Sequence, residues 1–178
     1  MQQIECVSVY PQQRYSRLEP KLVALKLFLD ALGIPADIDT VEDRKRVQKA
    51  VYLGQISGPN LGYRFNWYHM GPYSPALTRD YYELAGELEN DPEAVRDKSL
   101  RESALQRLRE TADLLKPPPT VPLDQPDWLE LLASYHFLRQ ISHYSRAKAI
   151  ALLTEQKAHV ADYVASAEAA LRAARLLN

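Results

Sequence analysis

Cysteine is nearly absent from this chain of 178 residues, where Cys6 stands alone. A single thiol excludes an intramolecular disulfide framework, a cysteine-based zinc site and a CxxC redox pair, and it makes a reducing cytoplasm the simplest expected home. An excess of charge of one sign is lacking too. The 22 Lys plus Arg and 23 Asp plus Glu leave a formal net charge of −1, so the molecule as a whole has no electrostatic reason to seek nucleic acid or anionic lipid, and any such binding must be local. Long hydrophobic runs are missing: stretches such as Ala149 to Leu153 are far too short to span a bilayer. Residues 1–10 show no positive region followed by an apolar core. The expectation is a cytoplasmic protein with no membrane partner.

Signatures of nucleotide and metal chemistry are also missing. There is no GxxxxGK(S/T) or GxGxxG phosphate loop and no HExxH, and the four histidines, His69, His136, His143 and His159, include no pair at the four-residue helical spacing. No cofactor and no bound metal are expected.

What the chain does have is the profile of a soluble globular protein, with 46% apolar and 9% aromatic residues, and enough length to fold as one domain with at most a small appendage. All six glycines precede residue 87, while five of the twelve prolines fall in Lys116 to Pro126, KPPPTVPLDQP. That run cannot continue a helix and favours extended polyproline backbone. The predicted organisation is a helical domain over 1–116, a proline-rich linker over 117–126, and a C-terminal helical segment over 127–178 packing on the first.

Leu18, Leu22, Leu25, Leu29 and Leu32 recur at steps of four and three, one apolar stripe of a helix that Gly33 and Pro35 stop. Thr40 and Asp43 form a weaker capping box ahead of a second helix with Val47, Ala50 and Val51 on its buried face. Tyr63 to Tyr68 is β-prone and predicts a short strand or extended arm. Ser74 as N-cap and Pro75 at the first position open a third helix. Leu105 to Leu115 outlines a fourth and Trp128 to Leu138 a fifth that breaks near His143. Ser145 to Gln156 gives a sixth, and Val160 to Ala174 one last alanine-rich helix. The sum is a mainly α fold: a helical N-terminal domain, open to a winged-helix-like arrangement with one short β element, plus a C-terminal helical hairpin or bundle.

Seven of the sixteen aromatic residues lie between Tyr63 and Tyr82, around the turn His69-Met70-Gly71-Pro72-Tyr73-Ser74-Pro75. Rigid amphipathic rings on such a turn make a good contact surface. Phe65 and Tyr81 read as core, while Tyr68, Tyr73 and Tyr82 divide evenly between core and surface. A Ser74, His69, Asp80 nucleophilic constellation is disfavoured, because Ser74 before Pro75 is accounted for as a helix cap. Arg44, Lys45, Arg46 and Lys49 give the segment Glu42 to Lys49 four positive against two negative charges, a set able to touch phosphates or to form an ordinary solvated helix face. The third helix sets Arg79 against Asp80, Glu83, Glu87 and Glu89, a poor fit to a major groove.

The run Val47-Gln48-Lys49, Val51-Tyr52-Leu53, Tyr63-Arg64-Phe65 and Gly71-Pro72-Tyr73-Ser74-Pro75-Ala76-Leu77, with Asp80 and Glu83-Leu84, resembles the YwgA-like bacterial and archaeal proteins. Their pattern is an LQKxxY helix, an aromatic extended segment and a YGPYSxxL turn into a helix. It is more distantly similar to the Panacea or SocA-like antitoxin domain. The likeness covers Arg44 to Leu84, and Asp127 to Leu138 resembles the C-terminal helix of the YwgA-like group. Val47 stands where that group often has Leu, and His69-Met70 where a Tyr usually precedes Gly-Pro. The Panacea resemblance implies an α-helical domain that acts by binding protein, either neutralising a toxin or presenting one to a protease.

The resulting expectation is a non-enzymatic protein-interaction module, antitoxin-like or adaptor-like, in a toxin–antitoxin or phage-defence setting. Its contact residues are Tyr68, His69, Tyr73, Arg79 and Tyr82, and its partner is a protein. The alternative is a helix-turn-helix-like DNA-binding regulator using Arg44, Lys45, Arg46 and Lys49. The alanine-rich face of the last helix also allows a homodimer.

Overall fold

The leucine stripe of the first helix, α1 (Pro20–Leu32), lies in the interior, with Leu25 and Leu29 wholly buried, and Gly33 ends the helix in the left-handed conformation at φ 68°. A computed structural model describes residues 18–178; Cys6 and the segment 1–10 lie outside the described residues. α2 (Val41–Ile56) begins at the expected capping box: Asp43 N–H donates to Thr40 Oγ1 at 3.1 Å and Thr40 N–H to Asp43 Oδ2 at 3.0 Å. Along α2, Lys45 and every residue from Val47 to Gly54 are buried, which makes it a central helix rather than a half-exposed one. Gly54 allows this, since a Cβ there would strike the Phe28 ring of α1.

The β element is a hairpin of two strands where one was expected. β1 (Asn66–Tyr68) pairs antiparallel with β2 (Gly71–Tyr73), in the register Asn66 to Tyr73, Trp67 to Pro72 and Tyr68 to Gly71. The β-prone residues before Asn66 pair instead with a side chain. Gln55 Oε1 accepts from Leu61 N–H and Tyr63 N–H, and Gln55 Nε2 donates to the Tyr63 carbonyl. α3 (Pro75–Asn90) starts at Ser74, whose hydroxyl accepts from Leu77 N–H, and α4 (Glu102–Leu114) follows.

The proline run folds onto the helices it joins. Val121 is buried, Val121 N–H bonds to the Pro118 carbonyl at 2.9 Å, and the indole N–H of Trp128 donates to the Leu114 carbonyl at 3.0 Å. α5 (Gln125–His136), capped by Asp124, buries every residue from Trp128 to His136 and packs against α2. Losing the fully buried Trp128 side chain would cost about 3–5 kcal/mol. A π-type turn, Phe137–Ile141, carries the chain to His143 at φ 54°, the break expected there.

α6 (Arg146–Gln156) is capped by Ser145. The single last helix expected from Val160 onward is divided into α7 (Ala158–Ala161) and α8 (Val164–Ala173). A tight turn with Tyr163 N–H on the Val160 carbonyl divides it, and Val160 and Val164 are buried on either side of the break. The Val164, Ala167, Leu171 stripe of α8 is buried and α8 packs on α5. The core is one continuous cluster from Leu18 to Leu177, drawn from both sides of the proline run. No described helix is long and apolar enough to cross a membrane.

Candidate functional site

The GPYS turn is held by one face of α2. Gly71 adopts φ +83°, and a Cβ on it would collide with Ser134 of α5, so the hairpin seats on α5 only through glycine. The next carbonyl, of Pro72, accepts from Lys49 Nζ at 2.7 Å. Gln48 pairs with the Ser74 backbone as a strand would: Oε1 accepts from Ser74 N–H and Nε2 donates to the Ser74 carbonyl, both at 3.0 Å. One turn further, Tyr52 OH meets His136 Nδ1 at 2.7 Å and its ring stands edge-on to Phe65 at 5.2 Å. Gln48, Lys49 and Tyr52 are therefore a clamp on the hairpin and on α5, which is a physical reason for the QKxxY spacing. Burial pulls the His136 imidazole down to about 4.

Beneath the hairpin lies a buried charge cluster. Glu130 of α5, 3% exposed, bonds to Lys157 Nζ and lies 3.1 Å from Lys45 Nζ. Lys157 also donates to the His69 carbonyl at 2.7 Å, and Lys45 also pairs with Asp127 at 2.7 Å and Glu42 at 2.8 Å. Burial opposes ionisation of Glu130 most strongly, and the Lys157 hydrogen bond with the Lys45 charge behind it overcomes this, holding the carboxyl below its ordinary range. Lys45 is pushed the other way: burial works against its charge, yet Asp127, Glu42 and Glu130 keep it above the usual lysine range. Among the described residues Lys49 has only the Pro72 carbonyl as a hydrogen-bond partner, and burial, reinforced by the Lys157 and Lys45 charges against the pull of Glu130, brings it down to about 7.

These contacts correct the picture of a basic helix face. Lys49 is 1% exposed and Lys45 8%, both committed to the interior, and Arg46 is paired with Asp43 at 2.8 Å. Arg44 donates to the Ile38 and Asp39 carbonyls at 2.7 and 3.0 Å. Two of the three carboxylates that hold Lys45, Asp127 and Glu130, sit on α5, more than eighty positions along the chain, where local charge counting does not register them.

Between the start of α2, the hairpin and the start of α3 is a groove of about 410 Å³ walled by Val41, Tyr68, Met70, Tyr73 and Tyr82, with Arg44 and Lys49 also lining it. Among the described residues, five large apolar side chains are exposed, and four of them, Tyr68, Tyr82, Val41 and Met70, line this groove; Ile141 is the fifth. The Tyr68 ring lies 5.4 Å from that of Tyr73 and 5.5 Å from His69, and Tyr82 leans on the buried Tyr81 at 5.1 Å. Tyr68, His69, Tyr73 and Tyr82 are thus brought together around one groove. Arg79 is not among the lining residues: its side chain is 73% exposed and lies 3.9 Å from Asp80. Val41 and Met70 were not anticipated; an apolar residue at the solvent-facing start of a helix and a methionine at a hairpin tip are their only sequence signals.

No hydrogen bond joins Ser74, His69 and Asp80 among the described residues. Ser74 Oγ accepts from Leu77 N–H, and Asp80 is engaged by Tyr63 OH at 2.7 Å and Lys21 Nζ at 2.5 Å. Asp127, Glu130 and His159 place ligand atoms within 4.8 Å of one another, a set not visible in the histidine spacing. Lys45 and Lys157 already hold those carboxylates, so their charge is compensated by ammonium groups. Comparison with known proteins finds no matching family, no matching characterised relative and no matching solved structure.

Proposed function

We propose that the protein is a non-enzymatic interaction module of antitoxin or adaptor type, acting in the cytoplasm and holding a protein partner in the groove between Val41, Tyr68, Met70 and Tyr82. The observation that carries this reading is the gathering of four of the five exposed large apolar side chains around one concavity. Surface apolar residues are ordinarily scattered, and a clustered set rimmed by polar groups marks a contact site. The groove's frame is stiff, because Gln48, Lys49 and Lys157 tie the hairpin backbone to α2 and to the segment after α6. A preorganised wall loses less entropy when a partner docks. The DNA-binding alternative has no comparable support, since Lys45 and Lys49 are buried and Arg46 is paired with Asp43, which leaves Arg44 as the one part-exposed cation of the four without a carboxylate partner among the described residues.

The test is affinity capture of the tagged protein from its native cytoplasm, with and without nuclease, alongside the Tyr68→Ala/Tyr82→Ala variant. A stoichiometric protein that survives nuclease and is lost from the variant is the expected result. Material that disappears on nuclease treatment, or that the variant retains unchanged, would overturn the proposal.

A further inference from the structure

The lining of the groove has a marked charge asymmetry. It includes Arg44, Lys45 and Lys49 together with His69, and not one Asp or Glu. Lys45 is matched by carboxylates behind the groove wall and Lys49 is buried against the Pro72 carbonyl, but Arg44 has no carboxylate partner among the described residues: its hydrogen bonds go to the carbonyls of Ile38 and Asp39. Carbonyl partners satisfy donors without cancelling a positive charge. The groove therefore combines an apolar and aromatic wall with one part-exposed guanidinium that lacks a carboxylate partner, in a site partly shielded from water. Such a site favours a group that brings negative charge beside an apolar body, and it disfavours a basic segment through uncompensated like charge.

We infer that the groove's occupant is an acidic segment of a partner protein, in which a large apolar or aromatic side chain sits between the tyrosines and a neighbouring Asp or Glu carboxylate faces Arg44. This deepens the interaction reading above and rests on it. The carboxylate approaches from the open side, where Arg44 is part-exposed. The apolar side chain packs on Tyr68, Met70 and Tyr82. A planar guanidinium suits a carboxylate through paired N–H donors, and Arg44 has nitrogens beyond the one that holds the two carbonyls.

The experiment is selection of random, end-blocked dodecapeptides on the full chain, followed by affinity measurement of the enriched peptides on the wild type, Tyr68→Ala, Arg44→Gln and Arg44→Lys. The expected pool carries Asp or Glu within two positions of an apolar or aromatic residue and is depleted of Lys and Arg. Its binding falls at least about tenfold in Arg44→Gln, weakens with added salt, and recovers in part in Arg44→Lys. Peptides that bind through Tyr68 but are neutral or basic, or that ignore Arg44→Gln while its melting temperature is unchanged, overturn the acidic-segment inference and leave the interaction reading standing. A pool indifferent to Tyr68→Ala, or no enrichment at all, overturns both.

Discussion

His136 sets a pH dependence of stability that can be worked out from its surroundings. The imidazole is 5% exposed, lies between α2 and the chain end, and bonds through Nδ1 to Tyr52 OH. Burial lowers its folded value to about 4, against about 6.5 in the unfolded chain, with a backbone contact at Leu176 opposing the shift. Between those values the unfolded state holds a proton that the folded state does not, so stability is complete above about pH 6.5 and falls as the pH drops toward 4. The slope approaches about 1.4 kcal/mol per pH unit, which integrates to about 2 kcal/mol between pH 6.5 and 4.5. Carboxylates held below their ordinary range, Glu130 foremost, add their own loss at the acid end, so the measurement has to be differential. Urea unfolding followed by circular dichroism across this range, on the wild type and His136→Gln, isolates the histidine. Gln retains an acceptor for Tyr52 and cannot titrate. The wild type should lose about 2 kcal/mol more than the variant. Parallel curves would refute the assignment of a neutral, desolvated His136.

Glu130→Gln removes the carboxylate shared by Lys157 and Lys45 and leaves buried ammonium charge uncompensated, so unfolding free energy should drop by about 3–5 kcal/mol; a loss below about 1 kcal/mol in urea titration would contradict the cluster. Gly71→Ala meets both a positive φ and Ser134, and should cost about 2 kcal/mol or more by the same assay, whereas a neutral effect would mean that the hairpin does not seat on α5 as described. Lys49, brought down to about 7 from an ordinary 10.5, carries an extra proton in the unfolded chain above neutrality, so stability should rise by about 1 kcal/mol per pH unit from pH 7 to 9. Lys49→Met should abolish that rise, and its persistence in the variant would place the titration elsewhere.

Much of the helical framework was legible because its signals are local. The leucine spacing from Leu18 to Leu32, the Thr40 and Ser74 caps and the proline that opens α3 act within a turn or two of backbone, and the structure uses each of them. The hairpin was half legible: β-prone aromatics mark β1, but β2 is Gly71-Pro72-Tyr73, three residues whose composition reads as a turn and whose pairing depends on Lys49, Gln48 and Ser134. The division of the last helix falls at Asp162-Tyr163, where no glycine or proline marks a stop and alanine-rich flanks favour continuity.

Within the site, Tyr68, His69, Tyr73 and Tyr82 were marked by aromatic density around a turn, and they do share a surface. Lys45 and Lys49 were misread because a run of cations looks solvated until its partners are known, and those partners, Asp127, Glu130 and the Pro72 carbonyl, come from other elements. Arg79 neighbours the aromatic set in sequence, but its position on α3 turns it to solvent and toward Asp80. Tyr52 and His136, two residues of the resemblance segments, owe their roles to each other across 84 positions, a pairing that neither segment shows alone.

The central claim is that the groove, and not some other face, holds a protein partner. A photo-crosslinking amino acid placed at Tyr82, and separately at Ile141, the large exposed apolar residue outside the groove among the described residues, tests it directly in the native cell. A discrete adduct from position 82, absent from position 141 and lost when Tyr68→Ala is added, is the predicted result. Equal adducts from both positions, or none from position 82, would contradict the account.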